Sequence, residues 1–359
     1  MATIYGVQIG YFGGDVQKMV AEDIPVLKPT FFASVPRVYN RIFGKIQDSV
    51  NAMQATPQGP FVSKAIADKL AVLNETGVVI HEQYDAMVFA KMKGILGGNV
   101  KCMLTGSAPI SKEVLDYLKV CFCCPVLEGY GMTETSAGSC ITIAPDPKSG
   151  HVGGPVANVK IRLRDIPEMN YLSTNNPPSG EICFWGPSIM KGYFKNDEKT
   201  AEALPDGEWL RSGDVGVVHP NMCIQIVDRA KNIFKLSQGE YIAPEKLENT
   251  FVQSEYILQA WVHGDSLHDF ICLFAVLDPA KVEVWARENG KEMGPGLLSD
   301  DKLIGLIAAD VNRLAIEKKF NSLEKPKQFT LILDPFTVEN DILTPTMKLK
   351  RNIAKAIYK

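Results

Sequence analysis

Five short stretches of the sequence combine residue types that could act on a nucleotide. The first, "GYGMTET", residues 129–135, directly follows a short apolar run. Glycines in a turn leaving a strand let backbone N–H groups approach a phosphate closely. Thr133 and Thr135 add hydroxyl donors, and Tyr130 offers a flat face for a base. Glu134, acceptor-only when ionised, could hold Mg²⁺ beside phosphates, because that ion commonly takes one or two protein carboxylates and keeps several waters. A surface turn with a solvated Glu and a packed Tyr fits the same seven residues.

The second stretch, "DGEWLRSGDVG", sets Asp214 between glycines, as in a tight turn. A carboxylate so placed could accept hydrogen bonds from both hydroxyls of a ribose, as an acidic residue does in dinucleotide folds; a plain hairpin-turn Asp is the bland account. The third, "DRAKNIFKLSQGEYIAPEKLEN", offers Arg229, whose guanidinium fork suits a ribose or phosphate, and Gly239, which permits close backbone approach. Taken alone, it also reads as a solvated linker before a helix. In "LTPTMKLKR", Lys348 could carry a mobile positive charge into a phosphate site, or simply close a basic helix end. The small-residue loop "TGSAPIS", residues 105–111, could line a flat ligand or serve only as a helix entry.

The elements that must position these stretches follow from pattern. "FFASV" reads as a buried strand; Pro36 then opens a helix through Val38, Ile42 and Ile46, at a spacing of four. Residues 51–60, with Gly, two Pro and Gln, read as a loop before helical segments near 61–73 and 81–94. "VKCMLTG" is a strand ending in glycine, Ser111 can cap the helix "KEVLDYLKVC", and "PVLEGYG" is the next strand and turn. This alternation predicts an α/β layer with a parallel sheet. After Gly150 short strands dominate ("VKIRLRD", "GEICFWG", "CIQIVD"), which predicts a smaller β-rich layer. Beyond Asp228, "FICLFAVLD", a long helix from about Asp301 to Lys319 and "FTLILD" form an α+β unit of about 130 residues, an ordinary domain size. The boundary is placed in "VDRAKN", giving domains 1–228 and 229–359.

Composition narrows the class. At 359 residues the chain is long enough for two domains with their own cores. A net charge of −3 gives no basic excess for nucleic acid or for an anionic membrane. The eight cysteines lie in apolar runs without paired C-x-x-C knuckles, and "CFCC" lacks a second half and nearby histidines, which argues against zinc and for free thiols in a reducing compartment. The first fifteen residues lack a basic segment followed by a long apolar core, so no signal peptide is expected there. No run of 18 apolar residues predicts a transmembrane helix.

In this order, the five stretches resemble the acyl-adenylate-forming superfamily and, within it, the long-chain fatty-acyl-CoA synthetases. "WLRSGDVG", "IVDRAKNIFKLSQGEYIAPEKLEN", "IGYFGGDV", "LKPTFFASVPRVYNRI" and "TPTMKLKR" carry the likeness, which covers nearly the whole chain. It implies a large AMP-binding domain of parallel sheet layers with a β-rich subdomain, and a small α+β lid. It implies that Gly106, Ser107 and Ala108 line the adenine and acyl carbonyl, Tyr130 stacks on adenine, Thr133 contacts phosphate and Glu134 holds Mg²⁺. Asp214 and Arg229 would bind the ribose, Gly239 would lie near the pantetheine channel, and Lys348 would be the adenylation lysine. Two departures stand out: "MK" replaces the commoner "GK", as in the long-chain group, and "DRAK" replaces "DRKK" at the hinge expected near residues 228–231.

The implied substrates are ATP, coenzyme A and a long-chain fatty acid, in a cytoplasmic setting that leaves room for peripheral association with the endoplasmic reticulum or another organelle membrane. A fatty carboxylate would attack the α-phosphate, releasing pyrophosphate, and the CoA thiol would then attack the acyl-adenylate. The family also has an upstream loop of the form T-S-G-T-T-G-x-P-K-G that grips the β- and γ-phosphates. No such stretch occurs in this sequence, so the chain is expected to be the C-terminal half to two-thirds of a synthetase, as a truncated or a natural short form. The rival expectation is a catalytically impaired adenosine-binding or scaffold remnant.

Overall fold

The four-residue spacing after Pro36 does form a helix. In the computed structural model, which describes residues 6–14, 18–144, 146, 148–344 and 347–358, α1 spans Pro36–Met53 and buries Val38, Tyr39, Ile42, Ile46 and Val50 along one face. Asp15 and Val16 of "IGYFGGDV", and Pro345 and Thr346 of "TPTMKLKR", lie outside the described residues. The chain divides into two units at Val156/Ala157, close to the change of pattern after Gly150. The boundary expected at 228/229 falls inside the second unit, at the end of a strand.

The first unit is built on a five-stranded sheet in the order β1 (Phe31–Ser34), β2 (Cys102–Thr105), β3 (Val126–Met132), β4 (Ala137–Ile141) and β5 (Gly154–Pro155). β1, β2 and β3 run parallel; β3, β4 and β5 pair antiparallel. The predicted α/β layer is therefore present, with a short antiparallel extension. Tyr39 pins α1 to the sheet by donating its hydroxyl to the carbonyls of Phe32, at 2.9 Å, and Leu104, at 3.1 Å. Helix α2 (Gly59–Thr76) packs on α3 (Lys112–Phe122), and Ser111 caps α3 by accepting from the Val114 N–H at 3.2 Å. Ile42, Ile46, Leu73, Phe89, Leu96, Met103, Leu118 and Phe122 share the core. Each such side chain contributes about 1.5–3 kcal/mol by leaving water.

Two expectations change here. The loop predicted at 51–60 narrows to residues 54–58, because α1 runs on to Met53 and α2 opens at Gly59 with Pro60 in its first turn, where a missing N–H costs nothing. "FFASV" is not a buried strand throughout. It stands at the sheet edge, and only Phe32 of β1 is buried, while Phe31 is 53% exposed.

The second unit opens with an antiparallel meander, β6 (Lys160–Arg164), β7 (Ser179–Trp185), β8 (Leu210–Val218) and β9 (Ile224–Arg229), with the short helix α4 (Asp197–Ala203) between β7 and β8. The hairpin β10 (Phe234–Lys235) and β11 (Tyr241–Ile242) leads to helix α5 (Pro244–Phe251). A three-stranded sheet follows, β12 (Ile257–His263), β13 (Ile271–Leu277) and β14 (Pro326–Ile332), with helices α6 (Pro279–Glu288) and α7 (Asp301–Glu317) between β13 and β14. One core, including Phe251, Leu273, Ile307 and Val311, packs α5 and α7 on this sheet; a second, around Trp261, Phe274 and Phe336, also takes up Ala354 of the last helix, α8 (Arg351–Tyr358). The long helix predicted from Asp301 to Lys319 ends at Glu317, two residues early.

Candidate functional site

In the first unit the two small-residue stretches leave neighbouring parallel strands. Thr105, the last residue of β2, lies in register with Glu128 of β3, and residues 106–111 and 129–135 continue from that pair. The carboxyl ends of parallel strands are where open α/β sheets bind ligands. The stretches touch: a Cβ on Gly106 would lie 2.9 Å from the Gly129 carbonyl oxygen, so only glycine permits this approach. Ser107 then takes a left-handed φ of 71°, a conformation uncommon for a residue with a side chain. Ser107 and Ala108 are exposed and Gly106 is half-buried.

"GYGMTET" is less of a loop than its glycines suggest. Residues 129–132 remain in β3 and pair with β4, Tyr130 opposite Cys140, and the turn itself is the single 3₁₀ turn Thr133–Thr135. At Gly131 a Cβ would meet the Ala137 carbonyl oxygen at 1.7 Å, so this glycine serves backbone crowding rather than turning. Tyr130 and Glu134 are half-buried and Thr133 is exposed, which suits contact with a ligand. Thr135 does not fit the donor role given to it. Its hydroxyl is fully buried, accepting from the Met132 N–H at 3.1 Å and lying 3.0 Å from the carbonyls of Met132 and Ala137. It builds the turn.

Beneath these stretches lie polar groups that sequence reasoning passed over. Glu128 is 7% exposed, and burial pushes its carboxyl up to about 8, against the opposing charge of Lys119. Its Oε2, the hydroxyl of its register partner Thr105 and the hydroxyl of Ser139 are buried without a hydrogen-bond partner among the described residues. "PVLEGYG" reads as an apolar strand, and nothing in it signals that the carboxylate points inward.

In the second unit Asp214 and Arg229 face each other. Asp214 is not in a tight turn: it lies within β8, directly across from Arg229, the last residue of β9, with Arg229 Nε 3.5 Å from Asp214 Oδ1. Gly216, which suggested the turn, instead lets Ile182 pack on the strand, since a Cβ there would stand 2.6 Å from its Cδ1. Asp214 is held from behind. Its N–H donates to Ser212 Oγ at 3.0 Å, and that hydroxyl donates to the Ile182 carbonyl at 2.7 Å. Glu181, a buried carboxylate on β7, accepts from the Gly213 N–H at 3.1 Å and pairs with Arg164 and Arg211 at 2.5 and 3.2 Å. A carboxylate and a guanidinium side by side at a strand end could take the two hydroxyls of a diol.

Gly239 turns the β10–β11 hairpin with φ 96°, its N–H donating to the Leu236 carbonyl at 2.9 Å. Lys348 is exposed, on a loop whose stem is the Leu343–Leu349 bridge. Its N–H donates to Thr344 Oγ1 at 3.0 Å, and the Thr344 N–H donates to its carbonyl at 2.8 Å. The structure thus joins Gly106–Ala108 with Gly129–Glu134 in the first unit, and Asp214 with Arg229 in the second.

Asp228, where the hinge was expected, is 1% exposed. Its carboxylate accepts from its neighbour's N–H at 2.7 Å and, through Oδ2, from the Glu245 N–H at the start of α5 at 2.8 Å. Burial, then the adjacent Glu245, pushes it up to about 7.

As to metal, Glu134 brings a half-exposed carboxylate on a tight turn beside the exposed Thr133 hydroxyl. This all-oxygen donor set suits a hard cation such as Mg²⁺. Among the described residues no helix is long and apolar enough to cross a membrane.

Comparison with known proteins places this geometry. A family profile described as "AMP-binding enzyme" matches residues 1–194. The chain is 42% identical to long chain acyl-CoA synthetase 7, peroxisomal, of Arabidopsis thaliana, over 100% of this chain and 51% of that protein. It is 42% identical to long-chain-fatty-acid–CoA ligase 5 of Mus musculus, over 96% of this chain and 50% of that protein. It therefore spans about half the length of the relatives it matches. Among solved structures it resembles the A-PCP didomain of carboxylic acid reductase from Segniliparus rugosus in complex with AMP, with a TM-score of 0.72 and 29% identity over 97% of this chain and 43% of that one. The adenylation domain of the carboxylate reductase from Mycobacterium chelonae gives a TM-score of 0.73 at 28% identity, over 97% of this chain and 48% of that one.

Proposed function

The chain belongs to the AMP-binding enzyme family, and we propose that it supplies the adenosine-binding and lysine-bearing part of a long-chain fatty acid–CoA ligase. The observation that carries this reading is the contact between the two small-residue stretches, Gly106 against Gly129, at the carboxyl ends of adjacent parallel strands. Relatives named long-chain acyl-CoA synthetases, similar along the whole chain, support the choice of substrate.

In this reading the adenine ring lies on Tyr130 and along residues 106–108, and the ribose hydroxyls bridge Asp214 and Arg229. The fatty carboxylate attacks the α-phosphate and pyrophosphate leaves; the CoA thiolate then attacks the acyl carbonyl and AMP leaves. Negative charge grows on the phosphoryl oxygens in the first step, so a lysine aimed there lowers the barrier by stabilising charge as it develops. Lys348 has that role, with Thr133 donating to phosphate. Glu134 would hold Mg²⁺, which when bound neutralises phosphate charge. Gly239 leaves room beside the pantetheine arm. Functionally the chain divides into 1–228 and 229–359, with the second part acting as a lid that turns about residues 228–231. Its partners are the fatty acid, ATP and CoA, and its place of action is a cytoplasmic or organelle-surface compartment.

The test is a steady-state assay of AMP release with palmitate and CoA, beside the two half-reactions. Lys348→Ala should suppress acyl-adenylate formation while sparing CoA transfer from supplied acyl-adenylate. Equal loss in both half-reactions would remove Lys348 from the chemistry. AMP binding without any ligation, in the chain and in longer forms alike, would favour the remnant.

A further inference from the structure

Lys348 is exposed, and its long flexible side chain needs a fixed root if it is to meet one phosphoryl oxygen. Three residues later the chain enters α8 at Arg351. The Arg351 guanidinium makes a two-pronged contact with the half-buried Glu248 of α5: Nη1 to Oε1 at 2.6 Å and Nη2 to Oε2 at 2.7 Å. Glu248 Oε1 also accepts the Val262 N–H of β12 at 2.8 Å. One ion pair thus fastens the start of α8 to a helix and a strand 103 and 89 residues back in the chain. The carboxyl groups of Asp228 and Glu245 also act electrostatically on Arg351, which is half-buried.

The loop itself is stitched on its other side. The Lys350 N–H donates to the Ile342 carbonyl at 2.8 Å, Lys350 Nζ pairs with Asp341 at 2.5 Å, and Ile342 and Leu343 are buried beside Trp261 and Phe336. An arginine fork fixes position and direction together, which a lysine's single point charge does not.

We propose that the Glu248–Arg351 pair is a positioning device for the reaction: it fixes the root of the Lys348 loop, so that Lys348 presents its ammonium to the α-phosphate from one defined place. This rests on the proposed role of Lys348. Arg351 itself is a positioning residue, working through Lys348 and touching no substrate.

The test uses residues 1–359 and two readouts. The first is hydrogen exchange in the parent chain, Arg351→Lys, Glu248→Gln and, as a control on the exposed face of α7, Arg313→Gln. In the two clamp variants the amides of Leu343, Thr344, Lys348 and Lys350 should exchange at least about tenfold faster, with those of β13 unchanged. The control should match the parent. Acceleration spread equally over β13 would make the pair a general stabiliser and overturn the proposal, as would no change in the loop.

The second readout is the Kd of adenosine 5′-hexadecylphosphate, a non-reactive stand-in for the acyl-adenylate that keeps its charged phosphate. Lys348→Ala should weaken binding about tenfold, the worth of one charge-assisted hydrogen bond, and Arg351→Lys should lose at least half of that factor on a logarithmic scale. Weakening by Lys348→Ala without weakening by Arg351→Lys overturns the positioning device alone. No effect of Lys348→Ala overturns the role of Lys348, and the device with it.

Discussion

Glu128→Gln isolates one proton. The Glu128 carboxyl is 7% exposed and pushed by burial from 4.5 up to about 8. In the unfolded chain the same group releases its proton near its ordinary value. Between about pH 4.5 and 8 the folded chain therefore holds a proton that the unfolded chain has lost, and stability falls as pH rises through that window. At about 1.4 kcal/mol for each pH unit, the loss by pH 8 is on the order of 3–5 kcal/mol. Glutamine has nearly the shape of the protonated carboxyl and cannot ionise. The variant should lie within about 1 kcal/mol of the parent near pH 4.5 and exceed it by about 2–4 kcal/mol at pH 9. All four tryptophans (Trp185, Trp209, Trp261, Trp285) lie in the second unit, so their fluorescence would report the wrong half of the chain. Hydrogen exchange at the amides of β2 and β3, compared between the two proteins at each pH, reads the first unit directly. The comparison also cancels Asp228, whose carboxyl, pushed up to about 7, adds a slope of the same sign to both proteins. A difference between variant and parent that stays constant from pH 4.5 to 9 would refute the buried-proton argument.

Glu134→Ala, assayed in a form that also carries the phosphate loop, should lower adenylation at least about tenfold and raise the Mg²⁺ concentration needed for half-maximal rate; an unchanged Mg²⁺ titration would sink the metal assignment. Residues 1–359 should bind AMP within about threefold of ATP by calorimetry, because the contacts proposed for adenosine reach no further than the first phosphate and include none of the charge-assisted bonds expected of a phosphate loop. A marked preference for ATP would mean that another segment of this chain grips the β- and γ-phosphates. Gly131→Ala should destabilise the first unit by about 3 kcal/mol, since its Cβ would fall 1.7 Å from the Ala137 carbonyl oxygen, a backbone atom with little freedom to retreat; urea unfolding followed by circular dichroism measures it, and a loss below about 0.5 kcal/mol would show that β4 yields easily.

What the sequence made legible was local. The face of α1 was visible because Val38, Ile42 and Ile46 recur at helical spacing, and the start of α3 because Ser111 stands directly before the helical run, where its oxygen accepts from the Val114 N–H three positions on. The small-residue stretches were found for the same reason, and they do leave neighbouring parallel strands. Strand register is not local, and what it decides was hidden. Glycines around Asp214 looked like a turn, yet one of them only makes room for Ile182 of the adjoining strand. Thr135 looked like a donor to ligand until the backbone of its own turn claimed the hydroxyl. Glu181 supports the strand that carries Asp214 from 32 residues away through the Gly213 N–H. Glu248 meets Arg351 across 103 residues. A single sequence shows which groups could touch a ligand, because those groups sit in short motifs. The carboxylates behind them, which set where each group stands and what proton it carries, are recruited by pairing between distant segments. The roles proposed for Asp214 and Lys348 would therefore lean on Glu181, which lies in none of the five stretches, and on Glu248, which lies in the third but whose pairing with Arg351 only the fold reveals.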